Sequence, residues 1–365
     1  MKSSVAFCLY VLVFSLIACN SSNRQQNLSA LEVIEHVKPR YAKGFDWKVC
    51  TDSSIQITLF DLNSPGDTLQ TIRWKQRSIE RLACLSTTHV SLLSALNCLD
   101  LLKGAGFADR LMDTSALRLF NNGNIINLTI GNDLDDELIY SIEPELFFVY
   151  PFGDKSYNQY LSKGIGCVQV SEYLENHPLG RAEWIRLFGC LLNKQQLADS
   201  LFETIEMQYT QLRDSIAQRE QRRPVVFAGS MDGDRWAVPS GNSYLSSLIY
   251  DAGGSYLFSD SSRSGNLVLP FETFYAAAFK ADFWGKIIYE ESFESSTQIT
   301  DGDDRLRQLP PFSQHGVFVC NAMTTDYHGR ALLEPVVLLS DLNAIFNRKT
   351  PVNGFSYFQP WSHYE

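Results

Sequence analysis

The tetrad Ser86-Thr87-Thr88-His89 offers three hydroxyls and an imidazole at the point where a short apolar run, Leu82-Ala83-Cys84-Leu85, gives way to an apolar pattern of helical period beginning at Val90. At a strand-to-helix turn these side chains suit a nucleophile with its base, a metal site, or a loop that grips a ligand. A nucleophile elbow has the form Gly-x-Ser-x-Gly, and this turn contains no glycine. Ser86 and His89 also lack a third group to orient the base, so a Ser-His hydrolase is disfavoured. A metal site would join His89 to Asp154, Asp326 and His328, all expected in loops, yet no His-Glu spacing signature supports it. Thr87 or Thr88 is expected to act as a helix N-cap in any case.

The ligand-grip reading gains from the other strand ends, because open α/β sheets bind ligands outside the carboxyl ends of their strands. Tyr150-Pro151-Phe152-Gly153-Asp154 follows the run Leu146–Tyr150, Gly229 to Trp236 follows Val225–Ala228, and Asn321 to Tyr327 follows Val317–Cys320. The mixture of aromatic, amide and hydroxyl groups suits a large, partly polar ligand. The expected cleft lining is Thr88, His89, Tyr150, Phe152, Asp154, Arg235, Trp236, Tyr244 and Tyr327. Trp236 and Tyr150 read equally well as core aromatics.

The elements that must position these residues form a readable order. Ile55–Leu59 and Thr68–Ile72 alternate in polarity around Asn63-Ser64-Pro65-Gly66-Asp67, which predicts a hairpin. From residue 80 onward, short apolar strands alternate with helices, the pattern of an α/β lobe with a parallel sheet. Residues 180–221 contain no strand signal and no proline, and their apolar residues recur at helical spacing, so a helix or two is expected there. Alternation resumes after Pro224 and closes with a helix over Glu334–Phe346. The fold class read from this order is α/β, with two Rossmann-like lobes, a long interlobe helix and an N-terminal β-hairpin extension. The expected boundaries are 1–18 leader, 19–40 tether, 41–76 hairpin, 77–178 first lobe, 179–222 interlobe segment and 223–365 second lobe.

Lys2 followed by the apolar run Val5–Ala18 reads as a signal peptide, too short to span a bilayer. Its ending, Leu16-Ile17-Ala18-Cys19, resembles the bacterial lipobox, which implies lipidation of Cys19 and a durable membrane anchor. Asn20–Ser29 is polar and reads as a flexible tether. The absence of acidic residues directly after Cys19 favours a periplasm-facing anchor. A net charge of −10 disfavours nucleic-acid binding, which needs clustered Lys and Arg. Of eight cysteines, Cys8 falls in the leader and Cys19 is assigned to lipid. The other six read mostly as small core residues, and whether any pair forms a disulfide stays open.

The segment Asp136 to Tyr150, "DELIYSIEPELFFVY", together with the strand, Leu-Ser-Thr-Thr-His and helix order before it, resembles the first lobe of the helical-backbone ABC-transporter substrate-binding proteins. "EYLENHPLGRAEWIRLFGCLL" (Glu172–Leu192) is similar to the domain-joining region of a lipoprotein subgroup. "WAVPSGNSYLSSLIYDAGG" (Trp236–Gly254) and "ETFYAAAFKADFW" (Glu272–Trp284) resemble the second-lobe helices. The resemblance implies a receptor for an iron–siderophore, haem or cobalamin that delivers its ligand to an ABC permease and its ATPase. It implies a monomer with no catalysis and no resident cofactor. It also implies that Glu137 and Glu272 face arginines of the membrane subunits. Anionic siderophores call for basic cleft residues, and only Arg235, Lys155 and Arg330 stand near expected loops, so a bulky, weakly charged chelate such as cobalamin stays open. A free zinc or manganese receptor is the reading from another class.

Overall fold

The structure is a computed structural model that describes residues 32–131, 133–151, 157–219, 221–261, 265–292 and 295–363. The leader, Cys19, Phe152, Asp154 and Lys155 lie outside the described residues.

The N-terminal part is larger than a hairpin. Strands β1 (Val33–Val37), β2 (Phe45–Cys50), β3 (Ser54–Phe60) and β4 (Thr68–Lys75) form an antiparallel meander in chain order. The expected hairpin is its β3–β4 half, with Trp47, Ile57 and Ile72 in register across the sheet. Alternation places Phe45, Trp47, Ile57, Leu59 and Trp74 on a buried face. That face shares one core with Leu82, Phe148, Trp184 and Phe188, so the extension is fused to the rest of the chain. β1 begins inside the stretch expected to be tether; its side chains are mostly exposed, which leaves no alternation to read.

The first α/β unit contains β5 (Leu82–Cys84), α1 (Thr87–Ala95), β6 (Leu102–Ala105), α2 (Thr114–Asn121) and β7 (Ile126–Asn127). It continues through the short ribbon β8 (Thr129–Ile130) and β9 (Asp133–Leu134), α3 (Asp136–Ile142), β10 (Leu146–Val149), α4 (Asn158–Leu161) and β11 (Gly166–Gln169). Its sheet is parallel throughout, in the order β11-β10-β5-β6-β7. β6 escapes a pattern search because it reads Leu-Lys-Gly-Ala. The glycine is required by packing, since a Cβ on Gly104 would lie 2.7 Å from Ile142 Cδ1 and 2.8 Å from Leu128 Cδ2.

The joining segment is two helices, α5 (Pro178–Leu191) and α6 (Gln195–Ala217), with Asn193 at φ 56° turning the corner. α5 is buried nearly all round, whereas α6 buries only Ala198, Phe202, Tyr209 and Ile216, a single stripe at helical spacing.

The second unit runs through β12 (Val225–Ala228), β13 (Ser230–Asp232), β14 (Arg235–Pro239), α7 (Tyr244–Asp251), β15 (Ser255–Tyr256), β16 (Asn266–Pro270) and α8 (Phe271–Ala278). β17 (Phe283–Ile288), α9 (Ser296–Ile299), α10 (Pro310–Ser313), β18 (Val317–Asn321), α11 (Pro335–Phe346) and β19 (Gln359–Pro360) complete it. Its main sheet has the order β15-β12-β17-β18-β19, parallel except for β19. A separate antiparallel sheet, β13-β14-β16, takes in Ser230 to Trp236 of the stretch Gly229 to Trp236 expected to be a strand-end loop. The missed signal is Met231-Asp232-Gly233-Asp234-Arg235-Trp236: Gly233, at φ 63°, and Asp234 form a two-residue turn that pairs Asp232 with Arg235. All six described cysteines are buried and unbonded.

Candidate ligand-binding site

The turn after β5 is built by its hydroxyls. Ser86, in extended backbone geometry, is the N-cap of α1 in place of the expected threonines, and its Oγ accepts from Thr88 N at 3.3 Å. Freed from capping, Thr87 and Thr88 reach elsewhere. Thr88 Oγ1 donates to Glu172 Oε1 at 2.5 Å, and Thr87 Oγ1 donates to the carbonyl of His328 in the second unit at 2.6 Å.

His89 does not face this junction. It is fully buried, with its ring centre 5.9 Å from that of Phe188 and 6.3 Å from that of Phe148. The buried Glu172 lies beside it, with Oε2 3.8 Å from His89 Nε2. Burial alone would raise the Glu172 carboxyl, but His89 and the Thr88 hydroxyl outweigh it and hold the group below its ordinary range. A catalytic Ser86-His89 pair is therefore not formed, because the imidazole belongs to the core.

From the second unit, the turns after β17 and β18 supply Tyr289, Tyr327 and His328. Tyr289 stacks on His328 with ring centres 5.6 Å apart and planes 5° apart, and the Tyr289 hydroxyl is hydrogen-bonded to His328 Nε2. Burial, helped by the charge of Arg181, lowers the His328 pKa, so its imidazole favours the neutral form. Burial pushes the Tyr244 hydroxyl up to about 12 and the Tyr327 hydroxyl higher still.

Arg181 ties the two sides together. It lies in the first turns of α5, its Nε donates to the Glu172 carbonyl at 3.3 Å, and its guanidinium stands 4.4 Å from the ring centre of Tyr244 on α7. Nearby, Asn176 Nδ2 donates to Asn242 Oδ1 at 2.6 Å, and Ser247 Oγ donates to the Asn176 carbonyl at 2.7 Å. Aromatic rings, hydroxyls, an amide pair and one guanidinium from both units thus meet beyond the carboxyl ends of parallel strands. Such a set can stack on a large ligand and orient it.

Of the expected lining, the structure brings Thr88, Tyr244 and Tyr327 to this region. Tyr150 stands half-buried at the carboxyl end of β10, its carbonyl accepting from the Tyr157 hydroxyl at 2.7 Å. Three residues go elsewhere, His89 into the first unit's core. Trp236 is fully buried in β14, stacked on Phe274 at 3.9 Å between ring centres, the core alternative that its sequence left open. Arg235 is exposed at the tip of the β13–β14 ribbon, which alternation turns to the opposite face from Trp236. Arg330 is ion-paired with Glu334 at 2.6 Å. Arg181, Glu172 and Tyr289 were missed; Arg181 stood within the quoted joining segment, where a charge in a helix reads as a solvated one. Among the described residues, no group of three or more His, Cys, Asp or Glu side chains gathers as a metal centre, and His89 and His328 belong to different units.

The two glutamates expected to dock a permease are exposed on helix first turns, Glu137 on α3 and Glu272 on α8. Glu272 Oε1 is 3.0 Å from Arg305 Nη1, and that guanidinium also holds Asp303 and stands 4.0 Å from the Phe271 ring centre.

Comparison with known proteins gives this geometry a family. Over 217 residues the chain is 29% identical to an uncharacterized lipoprotein of Methanocaldococcus jannaschii, a match covering 56% of this chain and 51% of that one; the chain spans about half the length of this curated relative. A periplasmic haem binding protein from Pseudomonas aeruginosa superposes with a TM-score of 0.61 at 15% identity, covering 78% of this chain and 98% of that one. An ABC-type Fe3+-hydroxamate transport system protein from Saccharomonospora viridis gives 0.59 at 14% identity, over 79% and 98%. A periplasmic vitamin B12 binding protein of Vibrio cholerae gives 0.54 at 15%, over 74% and 97%. At such identities the likeness is one of fold. Residues 82–314, from β5 to just short of β18, match the sequence profile described as periplasmic binding protein, and the chain belongs to that family.

Proposed function

We propose that this protein is the extracytoplasmic substrate-binding component of an ABC importer. It captures an iron–siderophore or related metal chelate where the two α/β units meet and presents it to a permease, while lipid on Cys19 holds it at a periplasm-facing membrane. The observation that carries the reading is the convergence of Thr87, Arg181, Tyr244, Tyr289 and His328 from both units beyond the strand ends. The likeness in fold to a periplasmic haem binding protein, a periplasmic vitamin B12 binding protein and an Fe3+-hydroxamate transport system protein supports a chelate as the ligand class. A single guanidinium among several tyrosines, counting the described residues, favours a bulky chelate of low charge, which keeps cobalamin or haem as the second reading.

A thermal-shift panel of ferric siderophores, haem and cobalamin tests this, because a ligand at 100 times its dissociation constant adds about 2.7 kcal/mol of stability. Stabilisation by one of these chelates, with no turnover, is expected. Stabilisation by free zinc or manganese alone, or ester or amide turnover lost in Ser86→Ala, would sink the reading. Cys19→Ser should leave the leader uncleaved and the protein unlipidated; recovery of a lipidated mutant in the membrane fraction would remove the anchor assignment.

A further inference from the structure

Residues between two strands ordinarily send their N–H groups to water or to neighbouring backbone. The connection from β1 to β2 does neither. The N–H groups of Arg40, Tyr41 and Ala42 donate to the Glu183 carboxylate at 2.8, 2.7 and 2.9 Å, and those of Lys43 and Gly44 donate to Glu175 Oε1 at 2.8 and 2.9 Å. Both glutamates are buried, Glu183 within α5 and Glu175 just before it. A buried carboxylate is tolerated only where donors meet it, and backbone donors cannot swing away as a side chain can. Arg186 adds to the Glu183 set, and the Trp184 indole adds to the Glu175 set, whose donors all meet Oε1. The fit leaves no slack, since a Cβ on Gly44 would lie 2.5 Å from the Trp184 ring and one on Gly180 would lie 3.2 Å from the Tyr41 carbonyl.

The same segment also grips α6 and the entry to α5. Arg40 is ion-paired with Glu206 at 2.8 Å and lies over the Phe202 ring. The Tyr41 ring packs against the apolar cores of both units and stacks on His177 at 5.1 Å. His177 is the N-cap of α5, its Nδ1 accepting from Leu179 N at 3.1 Å. Its neighbour Asn176 makes the bonds to Asn242 and Ser247 of the second unit.

We propose that Arg40–Phe45 is a strut that fixes the angle between the two α/β units, acting at the point where the chain passes from the first unit into α5. Most of α5 packs in the first unit's core, so rocking of the second unit against the first must slide past Tyr41, which touches both cores, and past Asn176, which is bonded to Asn242 and Ser247. The bonds from the backbone of residues 40–44 to their buried carboxylates keep Tyr41 seated between the two cores against that motion. The N-terminal sheet thereby has a role: its shared core with the first unit holds the strut's far end. The inference rests on the fold alone and not on the identity of any ligand.

The test is a spin-label distance measurement across the units in the full chain in detergent, with Ser141→Cys and Lys280→Cys in a Cys8→Ser, Cys19→Ser background. Both label sites are exposed and the six other cysteines are buried, so labelling is selective. The parent should give one narrow distance distribution. Tyr41→Ala and Glu183→Gln should broaden or shift it while far-ultraviolet circular dichroism stays unchanged. If Glu183→Gln does not fold, Tyr41→Ala, which removes only the wedge between the cores, decides alone. A folded Tyr41→Ala variant with the parent's width and centre overturns the strut.

Discussion

Glu172 Oε2 stands 3.8 Å from His89 Nε2, and both side chains are shut away from solvent beneath the turn that carries Ser86, Thr87 and Thr88. The other Glu172 oxygen accepts from Thr88, and its main-chain carbonyl accepts from Arg181. One buried carboxylate residue therefore holds the first-unit turn and the guanidinium of the candidate site in mutual register.

Removing one partner of such a buried pair leaves an uncompensated polar group, so Glu172→Ala should lose about 3–5 kcal/mol of stability. The pH dependence follows from the lowered carboxyl. Because the folded-state value lies below the ordinary one of 4.5, the carboxylate adds stability that is complete above that pH and is lost as the pH falls through the lowered value. Denaturant unfolding of wild type and Glu172→Gln across acid pH should show curves that are furthest apart near neutrality and converge in acid. A constant gap would mean that the charge contributes nothing.

Trp236→Ala should act on stability and leave binding alone. The ring is fully buried against Phe274, and truncating a buried tryptophan costs about 3–5 kcal/mol. Chelate affinity measured well below the lowered melting temperature should match wild type. A folded variant with intact stability and weakened binding would return Trp236 to the ligand site.

The contrast between Trp236 and Arg181 shows how far the sequence could be read. Alternating polarity around Asn63-Ser64-Pro65-Gly66-Asp67 marked the β3–β4 hairpin, and the apolar runs before Leu85, Tyr150 and Val170 marked strands of the first sheet, because each signal is carried by consecutive residues. Ser86 to Thr88 was legible as a strand-to-helix turn for the same reason. Trp236 reads as a cleft residue only while Gly233-Asp234 reads as part of a loop; as a hairpin turn it sets a strand in which alternation sends Trp236 inward and Arg235 outward. Arg181, Glu172 and the glutamates that hold residues 40–44 were invisible. Their partners lie in distant segments, and nothing local separates a helix charge that meets another unit from one that meets water.

Arg181→Met should weaken chelate binding at least tenfold while changing stability by about 1 kcal/mol or less, since the cation–π contact with Tyr244 is half-buried. Arg181→Lys should not restore binding, because an ammonium lacks the planar fork that stacks on the tyrosine and still donates to the Glu172 carbonyl. Calorimetric titration with whichever chelate stabilises the protein measures both. Full affinity in Arg181→Met would show that the guanidinium is only a brace between the units.

Glu137 and Glu272 hold matching places, each in the first turn of a helix that leads into a strand of a parallel sheet, α3 before β10 and α8 before β17. A glutamate there is favoured by the helix dipole alone, by about 0.3–1 kcal/mol, so position by itself does not establish docking. Their surroundings differ in a way that sharpens the test. Glu272 already faces Arg305, with its side chain 79% exposed, so an arginine from a permease must share or displace that guanidinium. Exposed pairs of this kind contribute little to folding but steer and orient association. Charge reversal to Lys at both sites should leave melting and chelate affinity nearly unchanged while cutting transport and receptor-stimulated ATP hydrolysis, more at low salt than at high. Arg305→Ala, which frees Glu272, should shift stimulated ATP hydrolysis in the opposite direction to Glu272→Lys. Normal transport by the double reversal, or loss of chelate binding in its place, would reassign both glutamates to the helix ends or to the ligand site.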